Sequence, residues 1–268
     1  MDGISNGTAG SQRMQYECVS IAYGGALGQS RVISDFSMTV DRGEIVVLIG
    51  QSGCGKTSVL HAGCGLVAPE TGRVTVDGRA AVGPTRDRIL VFQDPVLFPW
   101  LTVAENVAFG MKGAAHTSAG RGVDVRSTLA ELHLDQCARQ YPYQLSGGMR
   151  QRAQLGRAML MQPSFLLLDE PFGALDALTR LQMQGLLQEL VQEHRPGVVF
   201  VTHDVDEALT LATRVHLIKG RPGRIDYSAD ISGARPRLPS HLNDPAIVTI
   251  RKELLERLGV EVERGEQS

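Results

Sequence analysis

Gly50-Gln51-Ser52-Gly53-Cys54-Gly55-Lys56-Thr57 has the form G-x-x-x-x-G-K-[ST]. That spacing is a phosphate-binding loop. Before it, Glu44 leads into Ile45-Val46-Val47-Leu48-Ile49, an apolar run without alternation. Such a run reads as a strand buried on both faces of a parallel sheet. After the loop, residues 56–65 read as a helix. The glycines let the backbone close around phosphate with its N–H groups inward, and the helix start adds partial positive charge. Lys56 is then placed to reach the β- and γ-phosphates of a nucleotide, and the Thr57 hydroxyl to bind Mg²⁺.

Working outward, residues 16–23 and 34–40 read as strands. In the second, Phe36, Met38 and Val40 alternate with Ser37 and Thr39, as in a half-buried antiparallel strand. Residues 72–77 alternate again and end at an Asp77-Gly78 turn. Residues 89–92 form a short apolar strand that stops at Gln93. The pattern then becomes helical. Thr102 with Glu105 predicts a capping box, Asp124 predicts a cap before Val125, Leu129 and Leu132, and a third helix starts at Ser146 and ends before Pro163. Residues 112–121 read as an exposed loop. Apolar runs at 165–168 and 198–201 resume the α/β body, giving a mainly parallel core sheet with a helical insertion at about 95–162. Beyond Lys219-Gly220-Arg221-Pro222-Gly223 the chain reads as a basic, proline-broken tail. Asp244-Pro245 then opens a last helix with Ile247, Ile250, Leu254 and Leu258 on one face and Glu253 paired to Arg257.

The candidate chemistry sits where apolar strands end. Phe165-Leu166-Leu167-Leu168 runs into Asp169 and Glu170. In a nucleotide-binding α/β sheet the ligand lies beyond the carboxyl ends of the strands, which puts both carboxylates beside the phosphate loop. Asp169 can hold Mg²⁺ through water, and Glu170 can polarise an attacking water. Gln93 can offer its amide oxygen to the metal, and His203 can hydrogen-bond the γ-phosphate. Leu145-Ser146-Gly147-Gly148 at a helix start forms a second anion site, and its spacing does not put it on the same nucleotide within one molecule.

Taken together these residues resemble the ATP-binding subunit of an ABC transporter, over about 18–223. The Gly50–Thr57 loop, Gln93, Leu145–Gln151, Leu166–Glu170, Ala174-Leu175-Asp176 and His203 follow the family's order. The resemblance implies an ABC ATPase of the P-loop NTPase class: a mainly parallel core, an N-terminal antiparallel β-subdomain and the helical insertion. The ATPase domain is expected at 14–235, after a flexible tail at 1–13 and before a C-terminal helical appendage at 236–268. It implies ATP and Mg²⁺ as ligands. Tyr23 would stack on adenine, and ATP would be held by Gly50, Gln51, Ser52, Gly53, Cys54, Gly55, Lys56, Thr57, Ser58 and Gln93. Thr57, Gln93 and Asp169 would bind the metal. Glu170 would be the general base, with His203 and Lys56 completing the catalytic set. Ser146, Gly147, Gly148 and Asp176 would act in trans, across a head-to-tail dimer.

A finer resemblance, to the nitrate/sulfonate/taurine importers, rests on Phe98-Pro99-Trp100-Leu101-Thr102-Val103-Ala104-Glu105-Asn106-Val107, on Asp169 through Arg180 and on Arg221-Pro222-Gly223-Arg224-Ile225. It implies a small anionic solute, separate permease subunits, an external solute-binding protein and a peripheral place on the cytoplasmic face of the membrane. Phe98 and Trp100 are candidates for the permease contact or for packing within the insertion. Two departures stand out: Gly156, where alanine is usual and which costs its helix up to ~1 kcal/mol, and the glycine-rich stretch at 24–28.

Composition narrows the classes. The 268 residues carry a net charge of −2, so no global basic field draws nucleic acid. Cys18, Cys54, Cys64 and Cys137 form no metal-type pair and suggest a reducing compartment. Residues 1–10 do not read as a signal peptide, and no apolar stretch reaches the ~18 residues of a membrane span. A soluble ABC-type ATPase acting on nucleic acid or ribosomes is the alternative, but it would bring heptads, zinc motifs or a second ATPase unit. A non-catalytic module would lack one of Gln93, Asp169, Glu170 or His203. A GTPase would carry N-K-x-D, which is absent.

Overall fold

The structure, a computed structural model, describes residues 13–25, 28–111 and 124–260. Of the tail expected at 1–13, residues 1–12 lie outside these residues and Arg13 already begins the first strand; the loop at 112–121 and part of the 24–28 stretch lie outside them too. Strands β1 (Arg13–Gly25) and β2 (Gly28–Asp41) pair antiparallel, and β4 (Thr71–Val76) and β5 (Arg79–Ala80) extend them into a four-stranded sheet, in the order β2-β1-β4-β5. The second sheet contains β3 (Ile45–Ile49), β6 (Arg88–Val91), β7 (Phe165–Asp169), β8 (Gly197–Thr202), β9 (Arg214–Lys219) and β10 (Arg224–Asp230), in the order β10-β9-β3-β8-β7-β6. Every pairing in it is parallel except the β9–β10 edge.

The unbroken apolar runs of the central strands divide between two cores. Ile45, Val47 and Ile49 of β3 face one cluster together with Leu166, Leu168, Val198 and Phe200. Val46 and Leu48 face the other, with Leu167, Val199, Val201 and the inner face of β1 and β2, including Tyr16, Phe36 and Met38. Successive side chains point to opposite sides, and both sides are buried, so no polar alternation survives in the sequence.

Helix α1 (Lys56–Cys64) follows the phosphate loop and packs on the second cluster. The helices α2 (Val103–Ala108), α3 (Val125–Glu131) and α4 (Gly147–Met159) form the inserted layer, with short 3₁₀ turns between them. The predicted capping box of α2 and the predicted Asp124 cap of α3 are present, and in α3 Ser127 completes a box as well. Gly156 has a packing reason: a β-carbon there would lie 2.4 Å from Leu132 Cδ1 and 3.3 Å from Val107 Cγ2, so glycine lets the neighbouring segments close on α4. Helices α5 (Ala177–His194) and α6 (Val205–Leu211) return the chain to the sheet, and α7 (Pro245–Leu258) ends the described chain. Asp244 caps α7, Ile247 and Leu254 are buried, and Arg257 reaches Glu253 at 2.6 Å.

The segment read as the start of a broken tail is instead ordered by tertiary contacts. Arg224–Asp230 pairs with β9 as a hairpin around Gly220–Gly223. Arg237, 4% exposed, turns its guanidinium onto the carbonyls of Thr210, Ala212, Ile231 and Ser232. Two of these close the carboxyl end of α6, where a cation meets the negative end of the helix dipole. Burial pulls Arg237 down to about 10, so it is still charged at neutral pH. Arg237→Met should therefore leave carbonyls unpaired and cost roughly 2–3 kcal/mol in denaturant unfolding.

His216 on β9 is buried, with Nδ1 2.6 Å from Ser228 Oγ and Nε2 unpaired among the described residues. Burial, with Arg214 nearby and Asp230 opposing, lowers it to about 4. Folded His216 therefore stays neutral while the unfolded chain protonates below about 6.5. Its contribution is complete above that pH and is lost as pH falls from about 6.5 towards 4, on the order of 3 kcal/mol in all. His216→Gln should flatten the pH dependence of unfolding free energy in that window.

Candidate functional site

The parallel register brings four strand ends to one edge. Ile49 pairs with Thr202, Asp169 with Val201, and Val91 with Leu168. The phosphate loop, Gln93, Asp169-Glu170 and His203 follow those four ends directly. A cleft of about 390 Å³ opens there, lined by Val32, Ser52, Gly53, Gly55, Lys56, Thr57, Ser58 and Glu170.

Two loop glycines are fixed by their surroundings. Gly55 caps α1 at φ 100°, and a β-carbon on it would stand 2.6 Å from Ile33 Cδ1. One on Gly50 would stand 2.3 Å from the Ile218 carbonyl oxygen. Lys56 is buried, and its Nζ donates to the Gly50 carbonyl at 2.7 Å and the Gln51 carbonyl at 3.1 Å. The ammonium is thus held over the loop by its own backbone, and phosphate oxygens can replace those carbonyls. Cys54 is buried on the inner side of the loop. Gln51 is exposed on the outer side, where its amide donates to the Leu258 carbonyl of α7 at 3.4 Å. Tyr23 is 40% exposed and donates its hydroxyl to Ser58 Oγ at 3.2 Å, which sets the ring beside the first turn of α1.

The carboxylates have different partners. Thr57 Oγ1 donates to Asp169 Oδ1 at 3.2 Å. Burial, with Glu170 alongside, holds Asp169 above the usual carboxylate range, and the Thr57 hydroxyl partly offsets this. Glu170 takes a left-handed backbone conformation at φ 43°, unusual for a residue with a side chain, and its N–H bonds the Val201 carbonyl at 3.0 Å. The turn sends its carboxylate to His203, with Oε2 2.8 Å from Nδ1. A β-carbon on Gly173 would sit 3.6 Å from Gln93 Nε2 and 3.9 Å from Glu170 Oε2, so the amide and the carboxylate face the same glycine.

Ser146, Gly147, Gly148 and Asp176 do not line this cleft. Ser146 is the exposed N-cap of α4 and accepts from the Met149 N–H at 3.3 Å. Asp176 caps α5, accepting from Thr179 N–H at 3.0 Å, and that bond holds its carboxyl below the ordinary value. The two helix starts touch: a β-carbon on Gly148 would meet Thr179 Cγ2 at 2.4 Å.

Sequence reading did not single out the supports behind His203. Asp204 caps α6 through the N–H groups of Asp206 (2.9 Å) and Glu207 (3.0 Å). Buried Glu207 accepts from Thr202 Oγ1 at 2.6 Å and from Gln184 Nε2 at 3.2 Å, and burial raises its carboxyl. The Asp204-x-x-Glu207 spacing at a strand end was the available signal.

Asn106, fully buried, ties the 98–102 turn: Oδ1 accepts from Phe98 N–H, and Nδ2 donates to the carbonyls of Phe98, Leu101 and Thr102. Phe98 packs on Phe109 with ring centroids 4.5 Å apart and under the Arg157 guanidinium, whereas Trp100 is 70% exposed. A groove of about 330 Å³ beside them is lined by Phe92, Val96, Phe98, Phe109 and Met161 among others.

Comparison with known proteins bears on the family and the fold. Residues 33–173 match the family model described as ABC transporter. The chain is 43% identical over 229 residues to the aliphatic sulfonates import ATP-binding protein SsuB 2 of Burkholderia cenocepacia (strain HI2424), covering 85% of this chain and 82% of that one. It is 42% identical over 251 residues to the taurine import ATP-binding protein TauB of Burkholderia pseudomallei (strain 1710b), covering 91% and 96%. Among solved structures it is similar to the dimeric bacterial ABC transporter cassette MJ0796, with TM-score 0.70 and 29% identity over 82% of this chain and 100% of that one. Gly50→Ala should lower nucleotide affinity at least about tenfold in a fluorescent-nucleotide titration, because the backbone must move off Ile218. Circular dichroism should stay unchanged.

Proposed function

This chain belongs to the ABC transporter family, and on that premise we propose that it is the ATP-hydrolysing subunit of an importer for a small sulfonate such as taurine. The observation that carries the reading is the Glu170–His203 pair at 2.8 Å, set just beyond the ends of neighbouring parallel strands, with Glu170 lining the cleft of the phosphate loop. The names of the relatives carry the importer and its solute class, and they favour transport over a soluble ATPase acting on nucleic acid or ribosomes. We read 14–235 as the ATPase domain, with the helical subdomain at about 95–162, and 236–268 as a C-terminal appendage.

In this reading Tyr23 stacks on adenine, and the N–H groups of the 50–58 segment, with Lys56, hold the phosphates. Thr57 Oγ1 and Asp169 Oδ1 stand 3.2 Å apart as a pair of hard oxygen donors, which suits Mg²⁺, with Gln93 as a further oxygen ligand. When bound, Mg²⁺ neutralises charge on the β- and γ-phosphates. Glu170 accepts a proton from the water whose oxygen attacks the γ-phosphorus. The bond from that phosphorus to the bridging oxygen breaks, and ADP and phosphate result. His203 hydrogen-bonds the γ-phosphate.

Ser146, Gly147 and Gly148 lie outside the cleft of their own chain, with free helix-start N–H groups. They meet the γ-phosphate bound by a second copy arranged head to tail, and Asp176 crosses at the same interface. Among the described residues no helix is long and apolar enough to cross a membrane. On the names of the relatives, separate permease subunits hold the protein at the cytoplasmic face, and an external solute-binding protein delivers the solute to them. Exposed Trp100, with Phe98 packed behind it, offers the permease contact on the inserted layer.

Glu170→Gln should cut ATP turnover by roughly 10²–10³-fold, since a positioned base is lost. It should also accumulate an ATP-bound dimer in size-exclusion chromatography with light scattering. Adding Ser146→Arg should abolish that dimer, and a persisting dimer would end the two-chain site. Tagged Glu170→Gln protein drawn from detergent-solubilised native membranes should bring a multi-spanning protein at about one to one. Recovery of ribosomal or DNA-bound partners instead would overturn the importer reading.

A further inference from the structure

Arg180 lies on α5, four residues after the helix-capping Asp176, and it faces two loops at once. Its Nη2 donates to the Leu175 carbonyl at 3.1 Å, in the turn that joins Glu170 to Asp176. Its Nη1 donates to Asp204 Oδ2 at 3.4 Å, in the residue that follows His203. Its own backbone N–H bonds the Asp176 carbonyl at 2.9 Å.

The second loop is tied within itself by hydrogen bonds. Asp204 caps α6 with Oδ1, and its N–H donates to Thr202 Oγ1 at 3.1 Å. Thr202 is tied to buried Glu207, and Glu207 to Gln184 on α5. His203 is therefore bracketed by two residues that cannot drift independently. Arg180 is the link from that bracket to the turn ending at Asp176. The connection is a charge-assisted hydrogen bond on one side and a carbonyl on the other, at one planar fork that an ammonium cannot reproduce.

We infer that Arg180 is a positioning residue for hydrolysis: its fork keeps the turn ending at Asp176 and the loop carrying His203 in one register, so that contact made at the first by a second copy is felt at the second. The inference rests on the two-chain reading proposed above and deepens it. Arg180 does not line the cleft of the phosphate loop. Its effect passes through the geometry of His203 against Glu170, and so falls on turnover and on coupling between the two nucleotide sites, not on nucleotide binding.

The test is steady-state ATPase kinetics with nucleotide titration on the full chain, for wild type, Arg180→Lys, Asp204→Asn and the double variant. Asn keeps the capping acceptor of α6 and removes the charge. Arg180→Lys is expected to lower kcat at least tenfold, with KM and nucleotide Kd within twofold and the Hill coefficient for ATP falling towards one. Asp204→Asn is expected to match it, and the double variant to be no slower than the slower single one, since both break the same link. Wild-type kcat in Arg180→Lys would overturn the inference. A fall in kcat accompanied by a matching loss of nucleotide affinity and a melting temperature several degrees lower would overturn it as well, because that is the signature of damaged packing. Asp204→Asn at wild-type turnover would remove the loop partner and overturn it too. Absence of ATP hydrolysis in the wild type is a separate result, which would sink the reading of the site and this inference with it.

Discussion

Parallel pairing of β3, β8, β7 and β6 is the constraint on which the site depends. Parallel neighbours point their carboxyl ends the same way, so whatever follows each strand emerges at one edge of the sheet. Here the followers are the phosphate loop, His203, the Asp169-Glu170 pair and Gln93. Residues more than a hundred positions apart in the chain, such as Thr57 and Asp169, meet at hydrogen-bond distance because the register of β3, β8 and β7 leaves no alternative. The strands can be packed this way because both faces of the sheet are covered, one by the antiparallel sheet and α1, the other by helices.

The cleft shows how one edge supports two different chemistries. The loop side is built from backbone: glycines, N–H groups and a lysine held on carbonyls. The strand-end side is built from side chains whose partners tell them apart. Asp169 is half-buried against a hydroxyl, and Glu170 is turned by its own backbone towards a histidine. Two adjacent carboxylates thus meet different surroundings, which is how neighbouring acids come to take separate roles.

Much of this is legible in the sequence. The strands β3, β7 and β8 announced themselves as unbroken apolar runs, and the starts of α2, α3, α4 and α7 as capping residues at fixed spacing. Less visible were β9 and β10. Their polar members, His216 among them, hide the strand pattern, and Gly220–Gly223 reads as a break when it is a hairpin turn. Helix α5 was hard to read for a related reason, since its inward face carries Gln184 and Gln188, each buried and bonded across to Glu207 and to the Arg237 backbone. Polar residues satisfied by tertiary partners erase the periodicity that sequence reading relies on. Arg180 was likewise quoted within a motif, but its link to Asp204 spans 24 positions and shows in no local pattern.

The division of β3 between two cores has a bearing on how this fold can change over generations. Ile45, Val47 and Ile49 belong to the helical side, Val46 and Leu48 to the side of the antiparallel sheet. Point substitutions along the strand are therefore felt alternately by one half of the molecule and then the other. A one-residue insertion or deletion has no such mercy: it exchanges the two sets at a stroke and shifts the phosphate loop off the strand end. Lineages carrying this fold are free to vary in loop length on the far edge of the sheet, whereas the five-residue wall behind the nucleotide must keep its count.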